Sequence, residues 1–208
     1  MMQEAITYIA LSMGAAWASG LNLYAAILVL GLLGATGSMT LPETLQILQT
    51  PQVIGAAGLM YCVEFFADKF PGVDNAWDTL HTFIRIPAGA VLAASAVAEV
   101  EPSLCLAAAL LGGTLAAGTH LAKAGTRLLV NTSPEPFSNI GTSLAEDTVV
   151  VAGLWTAIYF PLAFLVFLAG FLLLMVWWLP ILWRGLKGVC DRVRSWFAPT
   201  KGKTLFEP

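Results

Sequence analysis

The chain has 208 residues, of which 58% are hydrophobic and 11% charged, with a net charge of -3 and a mean hydropathy of +0.78. A soluble domain carries about a quarter charged residues, so this composition excludes an ordinary soluble protein and indicates an integral membrane protein. The apolar runs are continuous and rich in Leu and Ala, which favours membrane helices over the alternating strands of a β-barrel.

Apolar runs bounded by Pro, Gly and charged residues predict one all-α domain, residues 1–183, with about six transmembrane helices. We expect these helices at residues 5–35, 53–66, 83–97, 104–130, 143–159 and 161–183. The first run would be about 46 Å long as one helix, against a bilayer core of about 30 Å, so it is either tilted or broken at Gly20. Pro134 and Pro136 predict a loop around Glu135, and Pro161 separates the last two spans.

Basic residues gather after the last span. Six of the ten Lys and Arg residues lie there: Arg184, Lys187, Arg192, Arg194, Lys201 and Lys203. The positive-inside bias places this tail, residues 184–208, in the cytoplasm, and an even number of spans places the N-terminus there too. Apolar residues fall on one side of the tail, which predicts an interfacial amphipathic helix: Leu186, Val189, Val193 and Trp196.

The composition supports neither a cysteine-based structure or metal site nor nucleic-acid binding. The three cysteines, Cys62, Cys105 and Cys190, are scattered without a CxxC pair, so they predict neither a disulfide framework nor a thiolate metal site. The basic tail is short and lies against a membrane, so we expect no nucleic-acid partner. The expected partners are the lipid bilayer and a small ion or solute.

A polar stripe follows the turn signal Pro71-Gly72. Asp74 occupies the position of a helix N-cap, and Asp74, Asp78, His81 and Arg85 recur at i, i+4, i+7 and i+11, which is one face of a helix. Lipid tails cannot solvate such a stripe at the edge of a membrane span. It is therefore expected to face a cavity, a partner helix or a headgroup.

The fourth span carries a second stripe, in which His120, Lys123, Arg127 and Asn131 recur at i, i+3, i+7 and i+11. Glu64 lies one turn inside the second span, where an ionised carboxylate is costly unless it is paired, and Lys123 and Arg127 are its expected partners. Together the polar residues predict one central binding site. Its expected members are Glu64, Asp68, Asp74, Asp78, His81, Arg85, His120, Lys123, Arg127, Glu146 and Asp147.

An internal repeat is suggested by a shift of about 98 residues, which aligns Gly14 with Gly112 and Gly20 with Gly118. The halves would be residues 5–100 and 103–183, with three spans each. An odd number of spans inverts the second half relative to the first, as in many transporters with broken helices. The paired breaks would then lie at Gly20–Asn22 and Gly118–His120. Small residues at 112–113 and 116–117 predict close helix packing, within the chain or in a homo-oligomer.

Four blocks of sequence carry a resemblance to a known family: ADKFPGVDNAWDTLHTFIRIPAG, HLAKAGTR, NTSPEPFSN and SLAED. Together they resemble a bacterial family of small polytopic membrane proteins known only as a domain of unknown function. This resemblance implies a bacterial inner (plasma) membrane location and no particular activity. The segment Glu64-Phe-Phe-Ala-Asp68-Lys69 is also similar to the E-x-G-D-K/R core of inverted-repeat cation exchangers, with one residue more and Ala67 in place of Gly.

Three functions fit this site. The first is a transporter or channel for a small ion or solute, proton-coupled through His81 or His120. The second is a membrane-embedded enzyme or carrier that handles a phosphorylated lipid, with Arg and Lys holding phosphate. The third is a scaffold or assembly protein. We assign no catalytic residue, and a divalent cation is an open cofactor, with Glu64, Asp78, His81 and His120 as candidate ligands.

Overall fold

The computed structural model describes residues 2–101, 103–131 and 136–197, and within these ranges it contains helices and turns but no β-strand. This confirms the all-α fold class. The helices are α1 (Met2–Ala35), a short 3₁₀ helix (Glu43–Gln49), α2 (Pro51–Ala67), α3 (Pro71–Val97), α4 (Leu104–Val130), α5 (Pro136–Tyr159) and α6 (Pro161–Phe197).

Four of the helices begin at a proline, namely α2, α3, α5 and α6. Proline suits the first helical position, where a backbone N–H would have no partner within the helix. This corrects two expectations. Asp74 is not the N-cap of α3, because Phe70 holds that position and Asp74 lies inside the first turn. The spans expected from residues 83 and 143 begin earlier, so the polar residues and the apolar spans belong to the same helices.

Among the described residues, four segments are long and apolar enough to cross a membrane: Met2–Ala35, Gly72–Val97, Leu104–Val130 and Pro161–Trp178. Helix α2 is apolar but has 17 residues, which is about 26 Å and slightly less than a bilayer core. Large side chains such as Phe83 and Leu106 are 80% and 70% exposed, as expected for surfaces that contact lipid. The chain is therefore a helical membrane protein, and the expected count of six spans stays a prediction.

Helix α1 lies at the centre of the bundle and packs against all the other helices. Its segment from residue 14 to residue 20 is buried on every side, including the small residues Ala15, Ala16 and Ala18. A helix that is apolar all round belongs in a core, and small side chains let neighbouring helices approach closely. Trp17 is the large exception. It fits edge-on against Phe164 and Phe167 of α6, with ring centroids 6.0 and 5.6 Å apart.

The small residues of α4 are used within the chain. A Cβ atom added at Gly112 would collide with Ala93 of α3 and lie 3.3 Å from Cβ of Ala16. At Gly20 an added Cβ would collide with Thr119 and lie 2.5 Å from the carbonyl oxygen of Ala116. These contacts bring α1, α3 and α4 together. The small residues therefore serve helix packing within the chain, which is one of the two arrangements expected from the sequence.

Gly20→Val is expected to destabilise the protein by about 1–3 kcal/mol, because the backbone of α4 has no room to yield to the new methyl groups. Gly55→Val is the matched control, since Gly55 is also helical and has nothing within 4 Å of an added Cβ. Unfolding in mixed detergent micelles, followed by circular dichroism, measures both. Equal stability of the two variants would contradict the close crossing.

The expected tail, residues 184–208, continues directly from the last span. Helix α6 runs unbroken past residue 183 and ends at Phe197. The side chains of Leu186, Val189, Val193 and Trp196, and all of residues 198–208, lie outside what the structure describes, so the amphipathic face stays a prediction. The loop expected around Glu135 also falls outside the described residues.

Candidate functional site

The two polar stripes face each other across α3 and α4, and carboxylates of α2 and α5 complete the group. The predicted site residues of α2, α3 and α4 are all buried, and only Glu146 and Asp147 of α5 are partly exposed. We refer to the charged residues in mutual contact as the ionic cluster. Its members are Glu64, Asp68, Asp74, Asp78, Arg85, Lys123, Arg127 and Glu146.

Arg85 forms the end of the ionic cluster nearest the middle of α3. Its Nη2 lies 2.5 Å from Oε1 of Glu64, and its Nη1 lies 3.1 Å from Oδ1 of Asp78. The same Nη1 lies 3.1 Å from Nδ1 of His120. A guanidinium group keeps its charge and presents a rigid fork of donors, so Arg85 ties α2 and α4 to α3 in one geometry.

Arg127 forms the other end and reaches three further helices. Its Nη2 lies 3.0 Å from Oδ2 of Asp68 on α2 and 2.8 Å from Oε2 of Glu146 on α5. Its Nη1 donates to Oδ1 of Asn139 at 2.8 Å and lies 3.9 Å from Oδ2 of Asp74 on α3. The side chain is fully buried. Arg127 therefore joins the ends of α2, α3, α4 and α5.

Lys123 lies between the two arginines. Its Nζ is 3.3 Å from Glu64, 3.5 Å from both Asp68 and Glu146, and 4.0 Å from Asp78. One ammonium group thus contacts four carboxylates. Because its side chain is only 1% exposed, little water screens these interactions.

The helical spacing of the charged residues explains which of them form ion pairs. Glu64 and Asp68 are four residues apart on α2, as are Lys123 and Arg127 on α4, so each pair occupies successive turns of one face. Lys123 is level with Glu64, and Arg127 is level with Asp68. The expected Glu64–Arg127 pair is therefore wrong. Glu64 pairs with Lys123 and with Arg85, because Arg127 lies one turn further along α4.

Helix α1 is broken beside the ionic cluster, which confirms a break in the predicted segment Gly20–Asn22 and places it at Asn22, not at Gly20 itself. Asn22 has φ -148° and ψ 99°, which is extended backbone inside an otherwise helical run. Its Oδ1 accepts a hydrogen bond from the backbone N–H of Ala25 at 2.9 Å, so it caps the second half of α1. Helix α4 runs unbroken from Leu104 to Val130, so the matching break expected at Gly118–His120 is wrong.

The break places both new helix ends against charged side chains. The carbonyl of Leu21, at the C-terminal end of the first half, accepts a hydrogen bond from Lys123 Nζ at 3.0 Å. At the N-terminal end of the second half, Asn22 Nδ2 donates to Oδ1 of Asp147 at 3.0 Å. A cation at a helix C-terminus and an anion at an N-terminus both favour the helix dipole.

Both histidines bond to neutral groups, and His120 also bonds to Arg85 of the ionic cluster. His81 Nε2 lies 2.9 Å from the hydroxyl of Tyr24, and its Nδ1 lies 2.8 Å from the carbonyl of Trp77. His120 Nε2 lies 2.8 Å from the hydroxyl of Thr82. Each ring is thereby held in place, and the ring of His120 connects Arg85 to a hydroxyl group.

Negative charge is in excess. In the described ranges the ionic cluster contains five carboxylates and three basic side chains. Four buried carboxylate oxygens have no hydrogen-bond partner among those residues: Glu64 Oε2, Asp68 Oδ1, Asp74 Oδ1 and Asp78 Oδ2. Buried carboxylate oxygens normally have a donor, so these four can take up protons or a small cation.

The described part of the chain contains no group of three His, Cys, Asp or Glu side chains placed to hold a metal ion. Arg85 lies between Glu64 and Asp78, and the candidate ligand His120 bonds to Arg85 and a hydroxyl. The other candidate, His81, is directed to Tyr24 and Trp77. Basic side chains thus stand where a divalent ion would bridge the carboxylates.

Sequence reasoning missed the neutral members of the site. Asn22 and Tyr24 of α1, Tyr61 of α2 and Asn139 of α5 all bond to predicted site residues. Asn22 and Tyr24 are polar residues in an uncharged run of about thirty residues, which is the one signal that could have identified them.

The model of the family described as Domain of unknown function (DUF4126) matches residues 9–180. The chain therefore belongs to this family, which confirms the resemblance noted from its sequence blocks. No curated protein and no solved structure matches the chain. The match extends over α1 to α5 and the apolar part of α6, so it includes every residue of the ionic cluster.

Proposed function

We propose that this member of the family is a membrane transporter or channel for a small ion or solute, in which the ionic cluster takes up and releases protons. The observation that carries the proposal is the excess of buried carboxylates over basic side chains, with four carboxylate oxygens that lack a donor in the described residues. Charge buried at membrane depth is costly and marks ion or proton pathways in membrane proteins.

A route to the ionic cluster supports this function. A crevice of about 270 Å³ lies between α3 and α4 and is lined by Asp78, Asn75, Thr79 and Thr82. Asp78 is the cluster member that lines it, and one carboxylate oxygen of Asp78 has no donor in the described ranges. Protons are therefore proposed to enter the ionic cluster at Asp78, with the hydroxyl groups of Thr79 and Thr82 beside them.

The broken helix supports it as well. Transporters commonly place their ion sites where a membrane helix is interrupted, because the free helix ends offer carbonyl and N–H groups. In α1 those ends contact Lys123 and Asp147.

We propose six membrane crossings arranged as two inverted halves, with the second half lacking the break, and allow for a homo-oligomer. Both termini would lie in the cytoplasm of a bacterial inner membrane, on the side of the basic tail.

Phosphorylated-lipid handling has less support. A phosphate group needs free Arg or Lys donors, and Arg85, Lys123 and Arg127 each already contact one or more carboxylates. A scaffold role predicts that the ionic cluster only holds helices together. Flux measurements separate that role from transport.

The test uses proteoliposomes that contain a pH-sensitive dye and are exposed to a panel of inorganic and organic cations. At least one of these is expected to move protons in the unmodified protein. Glu64→Gln and Asp78→Asn are expected to slow this movement about a hundredfold, the lower end of what a positioned proton donor or acceptor contributes. Glu43→Gln, an exposed carboxylate outside the cluster, is the control and should retain the full rate. Proton movement equal to that of empty liposomes, or undiminished in both variants, would overturn the proposal.

A further inference from the structure

A crevice of about 500 Å³ lies between α2 and α5, a volume typical of small-molecule sites. Of the residues that the structure describes, Asp147 is the one with a charged side chain in its lining. Aromatic rings contribute much of the remaining wall, from Tyr61 and Phe65 on α2 and Trp155 on α5, together with aliphatic side chains. The crevice therefore combines a single negative charge with an apolar, aromatic surface.

Asp147 is held by neutral donors alone. Its Oδ1 accepts from Asn22 Nδ2 and its Oδ2 accepts from the hydroxyl of Tyr61, each at 3.0 Å. Unlike Glu146 beside it, Asp147 forms no ion pair with any of the residues that the structure describes. Its carboxylate is partly exposed, and the exposed part lines the crevice.

The depth of Asp147 makes this arrangement unusual. In the proposed arrangement of six crossings α5 (Pro136–Tyr159) spans the membrane, and Asp147 lies near its middle, about 16 Å from the first residue of the helix. An ionised carboxylate at such a depth needs a counter-charge, and aromatic faces attract cations. The wall of the crevice suits a cation with an apolar body, not a hydrated metal ion.

A second apolar crevice provides a comparison. It has about 510 Å³, lies between α4, α5 and α6, and is lined by aromatic residues that include Trp177 and Trp178. Its charged lining residues are Lys123 and Glu146, which lie 3.5 Å apart and neutralise each other. The crevice between α2 and α5 is the one whose charge is not balanced by a basic side chain of the described residues.

We propose that the crevice between α2 and α5 binds an organic monovalent cation with an apolar body, with Asp147 as its counter-ion. We further propose that this cation is the solute exchanged for protons, a step that rests on the proposed transport function. Asn22 provides the link, because it bonds to Asp147 and directly follows Leu21, whose carbonyl accepts from Lys123. A cation bound to Asp147 thus competes with Asn22, the residue at the break next to the ionic cluster, for the Asp147 carboxylate.

Binding is tested with tetraphenylphosphonium, by equilibrium dialysis against the full chain in lipid nanodiscs, with empty nanodiscs as background. Saturable binding is expected. Asp147→Asn should weaken it about thirtyfold or more, because the cation loses its partner in a desolvated site. Trp155→Leu, at a position 51% exposed, should weaken it about threefold to tenfold without affecting folding.

The controls are Glu43→Gln, which removes a remote carboxylate, and Trp177→Leu, which alters the other crevice. Both should bind as the unmodified protein does. The proposal is overturned if binding does not exceed that of empty nanodiscs, if Asp147→Asn binds equally well, or if Trp177→Leu loses binding in place of Trp155→Leu.

Proton movement driven by tetraphenylphosphonium in proteoliposomes separates this proposal from the transport function. If binding depends on Asp147 but no cation of the panel drives proton movement, the cation site is supported and the proposed transport function is overturned. If another ion drives proton movement but tetraphenylphosphonium does not bind, the cation site is overturned and the proposed transport function is supported.

Discussion

Arg127→Gln is expected to lose about 3–5 kcal/mol of folding free energy, which is the usual effect of removing one partner from a buried charge network. Its guanidinium group holds Asp68, Glu146 and Asn139 at hydrogen-bond distance and Asp74 slightly further away. Without it, carboxylates from three helices would remain close together with only Lys123 to balance them. Because whole domains are stable by about 5–15 kcal/mol, much of the protein should fail to fold.

Arg127→Lys tests whether a positive charge alone at this position is sufficient to stabilise the fold. An ammonium group has the charge but not the planar fork that reaches Asp68 and Glu146 together, so this variant should recover only part of the lost stability. Arg184→Gln is the control, because Arg184 is exposed near the end of α6. Size-exclusion profiles and thermal unfolding in detergent measure all three variants. An Arg127→Gln protein as stable as the control would contradict the structural role of this contact.

The location of the candidate site follows from the sequence because charged residues are rare in this chain. In a chain with so few charges, those that recur at helical spacing in apolar segments must face one another, since lipid cannot solvate them. The stripes of α3 and α4 were predicted on this basis, and every predicted residue lies in or beside the ionic cluster. Individual pairs were not predictable, because whether Glu64 meets Arg85 or Arg127 depends on the relative heights of three helices.

The starts of α3 and α5 were misplaced for a related reason. Their first turns contain the polar residues of the site, such as Asp74 and Asn139, so local hydropathy is low although the helix has begun. Gly20 misled in a different way. The break lies inside the predicted segment Gly20–Asn22, but at Asn22, whose side chain caps the next helix, and the small size of Gly20 serves the crossing with α4. Distinguishing these roles of glycine needs the tertiary structure.

Replacing Glu64 and Arg85 together is expected to separate the stabilising role of the ionic cluster from its proposed role in transport. Arg85→Met alone should cost about 3–5 kcal/mol, because Glu64 and Asp78 would lose a buried partner at 2.5 and 3.1 Å. The double variant Glu64→Leu with Arg85→Met removes both charges. Since apolar replacement of a buried ion pair is often neutral or stabilising, the double variant should recover the part of the loss that is due to Glu64, while Asp78 keeps Lys123 at 4.0 Å as its basic partner.

Proton movement should respond differently, because the recovered fold no longer contains the carboxylate of Glu64. We expect the double variant to be clearly more stable than Arg85→Met alone in mixed micelles and about a hundredfold slower than the unmodified protein in the dye assay. Glu43→Leu with Arg184→Met serves as the control, since both residues are exposed and their effects should add. A stable double variant that moves protons at the full rate would mean that Glu64 only holds α2 against α3. The excess of five carboxylates over three basic side chains in the ionic cluster of the unmodified protein would then need a structural explanation.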